Sequence, residues 1–297
     1  MSNITEKQNF QISIDYLIAQ RYYYSFAKKC RNLRLFLSIS LALLSPILIY
    51  KWPASISILG VIGGLWIVVA YFLKKILENN YILKAATIQE EFDVDLFRLK
   101  WNNVLVGNKI SPEEISCAKR KFKGDASKLK NWYGDLLDIP YPLDVLLCQR
   151  SNLVWDWKLK KIYSFVILSI LLVYFILTIV LSLINELKLV EYILGLFLPA
   201  LAGYLFGIDE FVGHYNASKK RRDIEENIQS LSERAIINPG SIKIENLRQI
   251  QDCIYNFRRG PLIPDWFYWF SRKDKENDMT YALNSFKVKI NKIYEIQ

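Results

Sequence analysis

Acid–base, nucleophilic or metal chemistry needs particular side chains at particular spacings, and this chain is poor in them. It has one histidine, His214, and four scattered cysteines, Cys30, Cys117, Cys148 and Cys253. A Ser-His-Asp or Cys-His arrangement therefore has a single possible base. No serine or cysteine sits in a nucleophile motif, no C-x-x-C pair occurs, and no phosphate-binding glycine pattern is present. These absences argue against a disulfide framework, a zinc site and the common nucleotide-hydrolysing folds. The densest acidic run, Glu90, Glu91, Asp93 and Asp95, offers the oxygen donors that hard divalent cations take. On a solvated helix such a run is ordinarily a polar face. The expectation is a non-enzymatic protein with no catalytic residue, no metal and no cofactor.

The elements that would position any site are dominated by four apolar runs, residues 35–50, 54–73, 162–184 and 192–208. None contains a charged residue. A bilayer core takes about 20 mainly apolar residues per helix. The two shorter runs gain length from flanking long-stemmed residues that snorkel. The chain reads as an all-α membrane protein with four transmembrane helices arranged as two hairpins. Residues 1–34 form an N-terminal helix, 35–73 the first hairpin, 74–161 a helical insert, 162–212 the second hairpin and 213–297 a helical C-terminal region.

Charge sets the orientation. Lys28, Lys29, Arg31 and Arg34 precede the first run, and Lys74 and Lys75 follow the second. Lys158, Lys160 and Lys161 precede the third, and Lys219, Lys220, Arg221 and Arg222 follow the fourth. The two remaining connections carry one lysine each, Lys51 and Lys188. Basic residues collect on the cytoplasmic side, so both termini, the insert and the C-terminal region are expected in the cytoplasm. Net charge is +10, from 39 basic and 29 acidic residues. Anionic headgroups attract such an excess, and an anionic ligand would too. No cleavable signal peptide is evident, and the first run reads as a retained anchor.

Outside the spans the pattern is helical. Thr5-Glu6-Lys7-Gln8 has a capping-box pattern, and Ile14, Leu17, Ile18 and Tyr22 follow at helical spacing that leads into the first span. Residues 74–99 read as a continuation of the second span. Ser111-Pro112-Glu113-Glu114 is a helix start, and Ile139-Pro140-Tyr141-Pro142 is a break. A helix is expected over 215–235, then a turn at Asn238-Pro239-Gly240-Ser241 and a further helix from about Ile244.

Within the spans, Gly60 and Gly64, and likewise Gly203 and Gly207, are four apart. That spacing lets helices approach closely in lipid, within one subunit or between subunits. Pro46 and Pro199 are expected kinks. Asp209 and Glu210 sit where the fourth helix ends, beside the negative end of its dipole. Lys219 to Arg222 would neutralise them, or they face water. In an oligomer they would form an acidic ring at a pore mouth.

Several stretches, in order against this layout, resemble a known family. They are Ile88-Gln89-Glu90-Glu91-Phe92-Asp93, Trp101-Asn102, Asn131-Trp132-Tyr133, Cys148-Gln149-Arg150-Ser151-Asn152 and Trp155-Asp156. Near the C-terminus come Ile250-Gln251-Asp252, Arg258-Arg259 and Pro264-Asp265-Trp266-Phe267-Tyr268. The chain resembles the S-4TM family, four-transmembrane effectors associated with bacterial cyclic-oligonucleotide synthases in CBASS anti-phage systems. The resemblance implies a role: infection triggers synthesis of a cyclic nucleotide, the effector senses it, and the inner membrane loses integrity before phage matures. It carries over no catalytic or ligand-contacting residue.

A cyclic oligonucleotide presents phosphates, which favour Arg and Lys, and flat bases, which stack on rings or guanidinium planes. Three places combine these features: Lys119-Arg120-Lys121-Phe122-Lys123, Gln149-Arg150 with nearby tryptophans, and Arg258-Arg259 ahead of the aromatics from Trp266 to Phe270. The first is an ordinary solvated or headgroup-facing surface on the simpler reading. Gln149, Arg150, Arg258, Arg259 and Trp266 are the ligand-binding candidates, with core packing as their alternative role. The expected partners are the lipid bilayer, a cyclic oligonucleotide and further copies of the chain, with no polymeric DNA or RNA. The rival class is a membrane scaffold that recruits a cytoplasmic protein through the Trp266 aromatics. Charge-free spans and the lack of a sequence repeat argue against a transporter.

Overall fold

A computed structural model describes residues 4–133, 136, 139–154 and 157–264, together with 267, 281, 285, 288 and 289. The described elements are helical, and no strand occurs among the described residues. In order they are α1 (Ile4–Lys7), α2 (Gln11–Lys51), α3 (Ile56–Phe72), α4 (Asn79–Phe97), α5 (Asn103–Val106) and α6 (Pro112–Lys121). There follow α7 (Leu143–Val154), α8 (Trp157–Ile184), α9 (Leu189–Tyr192), α10 (Leu198–Ile237) and α11 (Ile244–Arg258). Two π-helical turns, Leu73–Glu78 and Ile193–Phe197, join α3 to α4 and α9 to α10 without a break.

Four of the helical stretches are long and apolar enough to cross a membrane. Their apolar side chains point outward: Leu65, Leu172, Ile176 and Leu183 are each more than half exposed. Water would not tolerate such a surface, so lipid is its solvent. The chain is a multi-pass membrane protein.

The chain divides into two compact units. One comprises residues 26–80 and 161–215 and contains the four spans. Two of its interior hydrogen bonds involve hydroxyl groups. The Trp66 indole donates to Ser38 Oγ at 2.9 Å, and the Tyr174 hydroxyl donates to the Ala42 carbonyl at 2.7 Å. Each bond removes a polar group from hydrocarbon, where it would be costly unpaired. Gly63 is required for close approach: a Cβ there would lie 2.6 Å from Pro199 Cα.

The other unit comprises residues 1–25, 81–160 and 216 onward. The insert and the C-terminal region thus share one core, and the first 25 residues join it rather than standing apart. That core contains Leu17, Ile88, Phe92, Phe97, Leu129, Leu146, Leu247 and Ile254, all essentially fully buried. Each such side chain contributes about 1.5–3 kcal/mol through burial.

Local signals explain most boundaries. Ser111 Oγ accepts from the Glu114 N–H at 3.3 Å, with Pro112 opening α6. Continuation of the second span ends at Phe97, because Arg98 takes φ 57°, the left-handed conformation that closes helices. Thr5-Glu6-Lys7-Gln8 does not cap the long helix. It lies in or just after the single turn α1, and Thr5 Oγ1 accepts instead from the Leu136 N–H at 3.1 Å. A tertiary donor takes the oxygen that a cap would have used.

Candidate functional site

The unit of residues 1–25, 81–160 and 216 onward holds a buried polar constellation between α4 and α11. Glu90 and Asp93 are three apart and share one face of α4. Arg248, Gln251, Tyr255 and Arg258 recur at three, four and three, which places them on one face of α11. Arg248 Nη2 donates to Glu90 Oε1 at 2.5 Å, its Nε to Asp252 Oδ1 at 3.0 Å, and its Nη1 to the Lys100 carbonyl at 3.1 Å. Gln251 Nε2 donates to Glu90 Oε2 at 2.8 Å and to Asp93 Oδ2 at 2.9 Å. Arg258 Nη1 pairs with Asp93 Oδ2 at 2.7 Å. Tyr133 donates to Asp93 Oδ1 at 2.6 Å and accepts from Asn152 at 2.8 Å.

Glu90 and Asp93 are both wholly buried. Burial raises the Glu90 carboxyl above the usual carboxylate range, although Arg248 and Arg258 pull the other way. Burial alone would weaken the Arg258 charge, but Asp93 beside it overrides that and the net shift is upward. Burial, then the Asp93 charge, pushes the Tyr133 phenol well up, so it remains a donor. Arg258 Nη2 and Gln149 Oε1 are buried without a hydrogen-bond partner among the described residues.

The acidic run is therefore not a solvated face. Glu90, Glu91 and Asp93 are buried, and of the four only Asp95 is exposed. The reason is position: α4 packs into the core of its unit, with thirteen of its side chains, Ile82 to Phe97, buried. Glu91 meets Lys109 at 3.0 Å and accepts from the Tyr16 hydroxyl at 3.2 Å. Among the described residues no group of three or more His, Cys, Asp or Glu is placed to hold a metal ion.

The structure brings two ligand-binding candidates into this constellation. Gln149 is fully buried and donates to the Leu247 carbonyl at 2.8 Å and to Gln251 Oε1 at 3.2 Å. Arg258 reaches the same Gln251 through Asp93. Arg150 is half-buried, and desolvation lowers its guanidinium pKa against the opposing charge of Glu225. Arg259 is exposed at the end of α11, its guanidinium 5.5 Å from the Tyr255 ring. Trp266 lies outside the described residues, as do Tyr268, Trp269 and Phe270. Lys119, Arg120, Lys121 and Lys123 are exposed, and Lys119 Nζ meets Asp15 at 2.7 Å.

Sequence reasoning missed Arg248 as a centre of this network. Its i, i+3, i+4 relation to Gln251 and Asp252 on an amphipathic helix was the available signal. Asn102 completes that rim. Its side-chain Oδ1 accepts from the Leu105 N–H at 3.1 Å, while its side-chain Nδ2 donates to Asp252 Oδ2 at 3.1 Å.

The span unit has a second charged cluster, at one end of its helices. Glu210 is buried and pairs with Arg31, which also donates to the Tyr163 hydroxyl at 3.0 Å. His214 Nε2 lies 3.3 Å from Glu210 Oε2, and its buried ring meets Tyr163 edge-on. Arg34 donates to Glu78 at 2.8 Å, and Lys74 pairs with the half-exposed Asp209. Arg31 and Lys74 thus take the part expected of Lys219 to Arg222. Residues nine or more along a straight helix lie about 13 Å away, whereas neighbouring helices bring Arg31 and Lys74 alongside.

Among the packing candidates, a Cβ on Gly60 would lie 3.2 Å from the Leu194 carbonyl, and one on Gly207 2.6 Å from Leu171 Cδ2. On Gly203 it would be 3.8 Å from the Ser38 carbonyl, and on Gly64 it would meet nothing within 4 Å.

Comparison with known proteins is consistent across the chain. The family described as SMODS-associating 4TM effector domain matches residues 2–286. A protein of Bacillus cereus (strain VD146) described as a probable CBASS effector molecule is 38% identical over 288 residues, covering 94% of this chain and 96% of that protein. No solved structure matches.

Proposed function

The chain belongs to the SMODS-associating 4TM effector family, and we propose on that footing that it is a CBASS effector that permeabilises the bacterial inner membrane when a cyclic oligonucleotide binds. Full-length similarity to a probable CBASS effector molecule is the observation that carries this reading. The outward-facing apolar spans support it. The basic flanks favour both termini in the cytoplasm, where a second messenger would be met.

The ligand chemistry follows from the unit that holds α4 and α11. Gln149, Arg150, Arg258, Arg259 and Trp266 remain the candidates, joined now by Arg248. Carboxylates pair with the guanidiniums of Arg248 and Arg258, and Arg258 Nη2 keeps no hydrogen-bond partner among the described residues. A phosphate can engage two guanidinium nitrogens at once, so it competes with Glu90 and Asp93 for these arginines. A ligand shifts a closed–open equilibrium only by its differential affinity for the two states. Exchange of an internal carboxylate for an external phosphate provides one. Copies of the chain assemble to complete the pore, with Asp209 the carboxylate nearer water at its mouth.

The test is reconstitution in dye-loaded liposomes with a panel of cyclic oligonucleotides. Dye release that needs one of them supports the pore. Nucleotide binding without release selects the alternative, a membrane scaffold that recruits a protein partner. Binding that survives replacement of Arg150, Arg248 and Arg258 together would place the site elsewhere.

A further inference from the structure

Three ion pairs cluster at one end of the span unit, and each joins a different pair of spans. Arg31 and Glu210 link the first to the fourth, Arg34 and Glu78 the first to the second, and Lys74 and Asp209 the second to the fourth. Tyr163 brings in the third through its hydrogen bond from Arg31. Phe206 packs against both guanidiniums, with ring centroid distances of 5.7 Å to Arg31 and 4.7 Å to Arg34. The opposite end is built differently. Ile49, Leu59 and Leu196 form an apolar cluster there, and among the described residues no ion pair joins two spans.

Buried ion pairs are a poor source of stability, since desolvating both charges offsets most of their attraction. What they add is a second tolerable state. Parted apolar side chains face water at a cost, whereas parted charges are hydrated. The Arg31–Glu210 and Arg34–Glu78 pairs, dry when closed and hydrated when open, make an element with two discrete arrangements rather than a continuum, with the half-exposed Lys74–Asp209 pair at its edge. We infer that the Arg31–Glu210, Arg34–Glu78 and Lys74–Asp209 pairs are a latch: together they seal this end of the bundle, and apart they line a hydrated mouth with charge. Its role as a gate rests on the permeabilising function proposed above; its existence as a hydration switch does not.

The latch is tested by water access. Ala202 is buried and lies on the face of α10 shared with Phe206 and Glu210, at intervals of four. In the full-length protein in liposomes, a thiol introduced by A202C reacts with a membrane-impermeant maleimide only if water reaches it. Labelling is read by mass spectrometry. Adding Glu210→Gln is expected to raise the rate at least about tenfold, because it strands a buried guanidinium. Combining Arg31→Glu with Glu210→Arg restores the pairing and is expected to bring the rate back towards the parent. An unchanged rate in Glu210→Gln, or a swap no better than the single change, overturns the latch. Should Glu210→Gln not be recovered folded, Asp209→Asn carries the same test at the half-exposed pair: a raised rate supports the latch and an unchanged one overturns it. Dye release separates the two ideas. Faster labelling without nucleotide-dependent release keeps the latch and sinks the pore, while release in the parent with no labelling change in the variants does the reverse.

Discussion

Arg248 donates to Glu90 at 2.5 Å although 158 residues separate them in the chain. The contact fastens α11 to the helix that continues the second span. Asp252, Gln251 and Lys100 hold the two partners in place, so the pair is fixed on both sides.

Breaking this pair from either side has unequal consequences. Arg248→Leu strands a carboxylate in the core and is expected to cost about 3–5 kcal/mol. Glu90→Gln keeps the shape and part of the hydrogen bonding, and is expected to cost about 1–3 kcal/mol. Denaturant melts of the detergent-solubilised protein measure both; equal losses would contradict the assignment.

Burial also ties stability to pH. The Glu90 carboxyl is raised in the folded protein, so the folded state binds this proton more tightly than the unfolded chain does. Its contribution is fully present below the unfolded value, about 4.3, and is lost as pH rises through the folded value. Glu90→Gln is expected to flatten that part of the profile. Melting temperatures of the two proteins between about pH 4.5 and 7 test it, and parallel curves would refute it.

Neighbouring glycines in α3 should respond oppositely to alanine. Gly63→Ala drives a methyl into the Pro199 backbone and is expected to cost about 1–3 kcal/mol or to loosen the bundle. Gly64→Ala meets nothing within 4 Å and is expected to be neutral or slightly stabilising. Thermal melts in detergent distinguish the two.

Cysteine reactivity reports on the unit that holds α4 and α11. Cys148 is buried, and burial pushes its thiol well up, with Asp144 adding to the shift. Cys117 and Cys253 are only partly covered. A maleimide should therefore modify Cys117 and Cys253 in the native protein and reach Cys148 only on local unfolding of the unit. Early labelling of Cys148 would contradict the described core.

The spans were legible because their signal is local: a charge-free run of sufficient length needs no partner to be recognised. The same holds for the Ser111 cap and the turn at Pro239. Helix pairing was not legible. Glu210 finds Arg31 from 179 residues away, and no local pattern distinguishes that partner from the nearer Lys219. The acidic run at Glu90 misled for a related reason. Charge implies exposure unless a specific counter-charge is present, and those of Glu90 and Asp93 sit on α11 while that of Glu91 is Lys109. Arg258 and Gln149 were picked out by composition, but composition does not say that they face inward.

The two connections at the apolar end of the span unit are short, residues 52–55 and 185–188, and carry little charge. In the orientation proposed above, with both termini in the cytoplasm, almost no hydrophilic mass has to be threaded through the bilayer during biogenesis. Each hairpin is suited to enter as a folded pair, dipping a blunt tip across while the bulk of the polypeptide stays where the ribosome released it. A single added domain or a cluster of lysines in either tip would remove that advantage, and is expected to make insertion depend on the translocation machinery.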